Sequence, residues 1–195
     1  QGHIIAASSN ATERIASTTR LAQISDELSD LDYEFLYDPA RKLLAIGYNA
    51  DEQRRDTGFY DLLASESRQG YFIAIAFGQI PQESLGRLRT NVGGAPILMS
   101  WSGSMFEYLM PQLVMPSFSD TLLDESCRAA VSRQIAFGNE RGLPWGVSES
   151  GYSKTDANLN YQYHAFGVPG LGLQRGLAVD SVVAPYAAVM ALMVQ

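Results

Sequence analysis

"LPWGVSESGYSKTDANLNYQYHAFGVPGLGLQRG" occupies residues 143–176. It is dense in aromatic side chains and glycines, yet only Glu149, Lys154, Asp156 and Arg175 are charged. So many glycines cannot sustain a helix, because each costs roughly 1 kcal/mol there relative to alanine. So many aromatics argue against disorder. The stretch therefore reads as an ordered, irregular loop. Loops this long inside a domain are usually functional, and the remaining elements are read around this one.

Most of the other segments have helical spacing. A first helix is expected over 10–31, capped by Ser9 or Asn10, with Ile15, Leu21, Ile24 and Leu28 at helical intervals. Residues 1–9 are read as a tag remnant or disordered lead-in. Two apolar runs around "DPAR" predict a β-hairpin at 34–37 and 43–47. A polar loop follows at 49–58. Helices are expected at 59–78, at 81–88, from 103 with a break near Pro111, and from Thr121 to Gly138 or Gly142. A glycine loop at 90–96 leads into a short buried extended segment at 97–101. A last helix begins near Asp180 or Pro185, and its uncapped apolar end leads us to expect truncation at the C-terminus.

Bulk properties exclude several function classes. At 195 residues one domain is the default. A net charge of -7 repels phosphate backbones, which argues against nucleic-acid partners. Cys127 is the single cysteine, so no internal disulfide forms; in a helix it reads as a small buried hydrophobe. With only His3 and His164, a Cys/His zinc site has no ligand set, and no metal or organic cofactor is expected. His164 itself reads as a hydrogen-bonded core or cleft residue. No apolar run reaches the roughly 20 residues of a membrane span. "GVPGLGLQRG" lacks the dinucleotide-binding glycine order, and Ser100 and Ser102 lack a G-x-S-x-G context.

Three carboxylates remain. Glu66 falls among Phe59, Leu62, Leu63, Ile73 and Phe77 on the wheel of the 59–78 helix; it is either a structural carboxylate or a site carboxylate facing a hollow. Glu107 sits at the shoulder of an apolar arc, after Trp101, Ser102 and Ser104. It is either solvated or a ligand contact. Glu149 is the first candidate: Gly146 and Gly151 allow close backbone approach, Trp145 and Tyr152 flank it, and Ser148 and Ser150 add hydroxyls; it is either a site acid or a surface acid in a well-packed loop. Sugar rings stack on aromatic faces, and their hydroxyls suit carboxylates. Such a charge-poor aromatic loop around one acid fits a glycan cleft.

The quoted stretch, with "FYDLLASESRQGYFIAIAFG", "SWSGSMFEYLMPQLVMP" and "TLLDESCRAAVSRQI", resembles the glucoamylase-like middle domain of bacterial cyclic β-1,2-glucan synthases, from about Asp32 to Gln195. That resemblance implies a mainly α fold, part of an (α/α)6 toroid with a small β-hairpin. It implies a β-1,2-glucan chain as substrate, cyclised by transglycosylation, with plain hydrolysis or non-catalytic glucan binding as the rivals. It also implies the other domains of a parent synthase as partners, a parent in the inner membrane, and this domain on the cytoplasmic side. "PWGVSES" is similar to the family segment with a site glutamate, which maps to Glu149; "SGSMFEY" maps a cleft glutamate to Glu107. On this reading Glu149 and Glu107 are catalytic. Glu66, Trp101, Trp145, Tyr152, Asp156, Tyr161, Tyr163 and His164 bind sugar.

Overall fold

The computed structural model describes residues 2–87 and 97–194. The chain divides into two units, one up to Tyr33 and one from Glu34 onward. The first is helix α1, Gly2–Ser29. It begins at Gly2, inside the stretch set aside as a lead-in, rather than near residue 10. Its hydroxyl residues do not break it because they bond to carbonyls one turn back: Thr12 to Ser8, Thr18 to Arg14 and Ser25 to Leu21.

The second unit opens with two small hairpins. Strands β1 (Tyr37–Asp38) and β2 (Leu43–Leu44) pair antiparallel, with Tyr37 opposite Leu44. The Asp38 carboxylate accepts the Ala40 and Arg41 amides, so the "DPAR" turn forms as its residue types require. Strands β3 (Tyr48–Asn49) and β4 (Arg54–Arg55) form a second hairpin within the expected polar loop.

The expected 59–78 helix is shorter. Helix α2 spans Ser65–Ala76. Phe59 bridges Ala45, and Leu63 donates its amide to the Met99 carbonyl at 2.7 Å while bridging Ser100. Tertiary backbone pairing thus overrides helical spacing before Ala64. The expected 81–88 helix is a 3-10 segment, Gln82–Arg87. The 90–96 loop lies outside the described residues. Helix α3 is Met105–Leu109, and Pro111 sits in a 3-10 continuation, Met110–Leu113. Helix α4, Leu122–Arg141, starts at an N-cap Thr121 that accepts the Asp124 amide. It ends at Gly142, whose φ of 66° suits the left-handed cap. Helix α5 spans Pro185–Met190.

The 143–176 stretch is not wholly irregular. Strands β5 (Ser150–Thr155) and β6 (Tyr161–His164) make an antiparallel hairpin. Asp156 makes its turn, accepting the amides of Asn158 and Asn160.

The core gathers around the extended segment at 97–104. Ser100 bridges Leu63 on one side and Gly172 on the other. Tyr71, Leu98, Met105, Tyr108, Leu109, Val168 and Leu171 are fully buried there. The Tyr108 hydroxyl lies 2.8 Å from the Leu98 carbonyl and 2.6 Å from that of Leu171. A helix as short as α3 has little stability alone. Burying side chains of this size contributes about 1.5–3 kcal/mol each, so packing holds α3 in place.

The glycines of the quoted stretch answer to this core. A Cβ on Gly172 would approach the Gly103 amide nitrogen to 2.5 Å, and one on Gly103, at φ 71°, would meet the Val168 carbonyl at 2.8 Å. The loop lies backbone against backbone on residues 101–104, which is why it cannot carry side chains there.

Candidate functional site

The site is built where the first turn of α3 meets the segment leading into β5. Ser104 is the N-cap of α3, and its hydroxyl accepts the Glu107 amide at 3.3 Å. Glu107 reaches back and completes a capping box. Its Oε2 accepts from the Ser102 hydroxyl at 2.5 Å, the Ser104 amide at 3.0 Å and the Ser104 hydroxyl at 3.1 Å; Oε1 accepts the Ser102 amide at 3.3 Å. Both oxygens are therefore engaged in holding their own turn.

Residues 146–149 form a strap across that turn. Gly146 accepts the Ala184 amide and has φ 114°, a conformation that favours glycine. Val147 is fixed by buried Gln134 of α4, which donates to its carbonyl at 2.7 Å and accepts its amide at 2.8 Å. The same carbonyl accepts the Met105 amide at 3.3 Å. Ser148 Oγ accepts the Phe106 amide at 3.0 Å. Tyr186 of α5 bridges Ser148 Oγ at 2.9 Å and the Glu149 carbonyl at 2.7 Å. The segments bearing Glu107 and Glu149 are thereby joined by hydrogen bonds.

The half-exposed side chain of Glu149 comes next, at the base of the β5–β6 hairpin. Its Oε2 accepts from the Tyr163 hydroxyl at 2.6 Å. That bond to the carboxylate, followed by desolvation, pushes the Tyr163 phenol up to about 12. Burial first, then the Glu149 charge, raises Tyr186 as well.

The aromatic residues take different roles. Tyr161 and Tyr163 are 75% and 66% exposed, and Trp101 is 59% exposed, so each ring is open to a ligand. Tyr152 and His164 each meet buried Phe166 edge-on, with centroids at 5.1 and 5.0 Å. Trp145 is half-buried and sits against α4, where a Cβ on Gly138 would lie 3.0 Å from its own. An open depression of about 350 Å³ runs along Gly151, Tyr152 and Tyr161.

Glu66 does not sit in an apolar face as its wheel suggested. It is exposed in the first turn of α2, since Phe59, Leu62 and Leu63 are not helical. Burial, then the nearby Glu66 carboxylate, raises the Tyr60 phenol. Asp156 lies in the hairpin turn, where the bonds to Asn160 and Asn158 hold its carboxyl below the usual range.

Sequence reasoning missed Gln134 and Tyr186. A helical glutamine and a tyrosine following proline carry no local signal; their partners are distant in the chain. A hollow of about 480 Å³ lies between α2 and the start of α4 and is walled by residues such as Phe72, Ile75, Leu98, Phe118 and Leu122. No carboxylate lines it among the described residues.

Comparison with known proteins agrees on one family. The glycoamylase family model, described as "Putative glucoamylase", matches residues 58–195 and includes the whole cluster. The chain is 47% identical over 166 residues to the cyclic beta-(1,2)-glucan synthase NdvB of Rhizobium meliloti (strain 1021). That alignment covers 84% of this chain but 6% of the relative's length. The chain belongs to the glycoamylase family of glucoamylase-like domains.

Proposed function

We propose that this chain is the glycan-active part of a cyclic β-1,2-glucan synthase, and that it cyclises a linear β-1,2-glucan by transglycosylation. Its helices belong to a larger (α/α) toroid, completed within a membrane-bound parent whose other domains are its partners. The observation that carries the reading is the Glu149 cluster. One carboxylate stands at a hairpin base beside exposed tyrosine rings, on backbone fixed by Gln134, Phe106 and Tyr186.

In this role Glu149 handles the proton. Its Oε2 is held by Tyr163, so Oε1 is the oxygen assigned to transfer. As the bond between C1 and the glycosidic oxygen breaks, the leaving oxygen takes a proton. The hydroxyl at the far end of the same chain then forms the new bond to C1 and gives up its proton in turn. Tyr161 and Trp101 supply ring faces that bind sugar and exclude water. Glu107 fixes the wall that carries Trp101. Glycoside chemistry uses a second carboxyl about 5–9.5 Å from the first, according to stereochemistry.

The test is Glu149→Gln in the full-length protein, with linear β-1,2-glucan as substrate. General acid–base catalysis contributes roughly 100- to 10,000-fold, so cyclic product should fall by at least ~100-fold. Wild-type protein should keep the number of reducing ends constant. Accumulating reducing ends would establish hydrolysis instead, and undiminished cyclisation by the variant would refute the assignment.

A further inference from the structure

The sequence suggests the Tyr163 ring as a sugar platform, but its hydroxyl has a different partner. It donates to Glu149 Oε2 at 2.6 Å. We propose that Tyr163 is a positioning residue that aims the Glu149 carboxylate, so its hydroxyl rather than its ring face serves the reaction. This rests on the reading of Glu149 as the proton-handling group.

Three observations support it. First, the backbone around Glu149 is already fixed on both sides. Ser148 Oγ takes the Phe106 amide, and Tyr186 holds the Glu149 carbonyl. The freedom that remains is in the glutamate side chain, a long one with several rotatable bonds. Tyr163 removes that freedom.

Second, the register suits the reach. Gly151 stands opposite Tyr163 across the hairpin. A Cβ on Gly151 would meet nothing closer than the Gln162 carbonyl at 3.9 Å, so no paired side chain competes with the tyrosine ring for space. Tyr161, two residues earlier on the same strand, is more exposed and remains a platform.

Third, the phenol stays a donor. The bond to the Glu149 carboxylate pushes the phenol up to about 12, so near neutral pH the hydroxyl carries the proton it donates. It can hold a carboxylate but cannot itself become an attacking phenolate.

The experiment uses the full-length protein and four variants: Tyr163→Phe, Tyr163→Ala, Glu149→Gln, and Glu149→Gln with Tyr163→Phe. Phenylalanine keeps the ring and removes the hydroxyl. Misaiming a catalytic group by about 1 Å can cost about 100-fold. Tyr163→Phe should therefore lower kcat for cyclisation by about 10- to 100-fold, with KM for linear glucan within about twofold. In the Glu149→Gln background the same change should cost nothing more, because the group it positions is gone.

A Tyr163→Phe variant with wild-type kcat, beside a Tyr163→Ala variant with raised KM, would make Tyr163 a platform and overturn the proposal. An undiminished loss in the Glu149→Gln background would also overturn it. If Glu149→Gln is inactive while Tyr163→Phe is normal, only the positioning role falls. If Glu149→Gln cyclises at full rate, the Glu149 reading falls and takes the positioning role with it.

Discussion

A Cβ on Gly167 would lie 1.7 Å from the carbonyl oxygen of Ser102. Ser102 in turn gives its hydroxyl and its amide to Glu107. The loop that supplies the aromatic residues is thus pressed onto the turn that carries Glu107 and Trp101. Backbone on both sides leaves neither partner able to yield.

Gly167→Ala should therefore destabilise the fold by roughly 3 kcal/mol or more, at the severe end for overpacking. Gly151→Ala is the control: with no neighbour nearer than 3.9 Å, it should change stability by under ~0.5 kcal/mol. Urea unfolding monitored by circular dichroism compares the two. Equal stabilities would mean the loop does not lie on residues 102–103.

Glu107 and Glu149 should separate in kind. Glu107→Ala leaves the Ser102 and Ser104 donors of the capping box without their acceptor, and it should cost about 1–3 kcal/mol. Glu149→Gln should leave stability within ~0.5 kcal/mol and remove activity. Thermal unfolding together with product assay of both variants reads this out. A Glu107→Ala variant of unchanged stability would contradict the capping account.

Gln134→Leu tests the strap. It would leave the buried Val147 amide without its partner and deprive the Val147 carbonyl of its shortest donor. The orphaned amide costs about 1–3 kcal/mol, and the carbonyl keeps the Met105 amide, so a loss of ~1–3 kcal/mol is expected. Cyclisation should fall too, since Glu149 is two residues from the freed position. Full activity in a folded variant would show that the strap does not place the carboxylate.

The pH dependence follows from the buried tyrosines. Burial raises Tyr71 to about 12, with its hydroxyl between the Leu44 amide and the Tyr60 carbonyl, and it raises Tyr108 further. The folded state keeps protons that the unfolded chain releases near pH 10. Their contribution is complete below about pH 10 and is lost as pH rises toward the folded values. Stability should fall between about pH 10 and 12, and Tyr71→Phe should flatten part of that fall. An unchanged slope in the variant would contradict the assignment.

Local chemistry was legible where it determined structure. Thr121 with Asp124 marks the start of α4, Gly142 is the one of its two candidate stops, beside Gly138, that caps it, and "DPAR" makes its turn. The β5–β6 hairpin was also readable, because "SGYSKT" and "YQYH" flank the turn residues "DANLN", but the glycines directed attention to looseness. Two of those glycines serve close packing instead: Gly167 on Ser102 and Gly172 on Gly103. The Glu66 wheel failed because Leu63 pairs with Met99 and Ser100, partners over thirty residues away that no local period encodes. Ser104-x-x-Glu107 was a capping box in plain view. The Glu149 neighbourhood is proposed from its residue types, whereas its fixation by Gln134, Tyr163 and Tyr186 depends on contacts made only by folding.

The most direct measurement is a structure of the full-length protein carrying Glu149→Gln, bound to a linear β-1,2-glucan. The account requires a glycosidic oxygen within about 2.6–3.2 Å of the side chain at position 149, with a sugar face on Tyr161. A glucan seated in the apolar hollow between α2 and α4, or on any path that leaves position 149 out of reach, would contradict it.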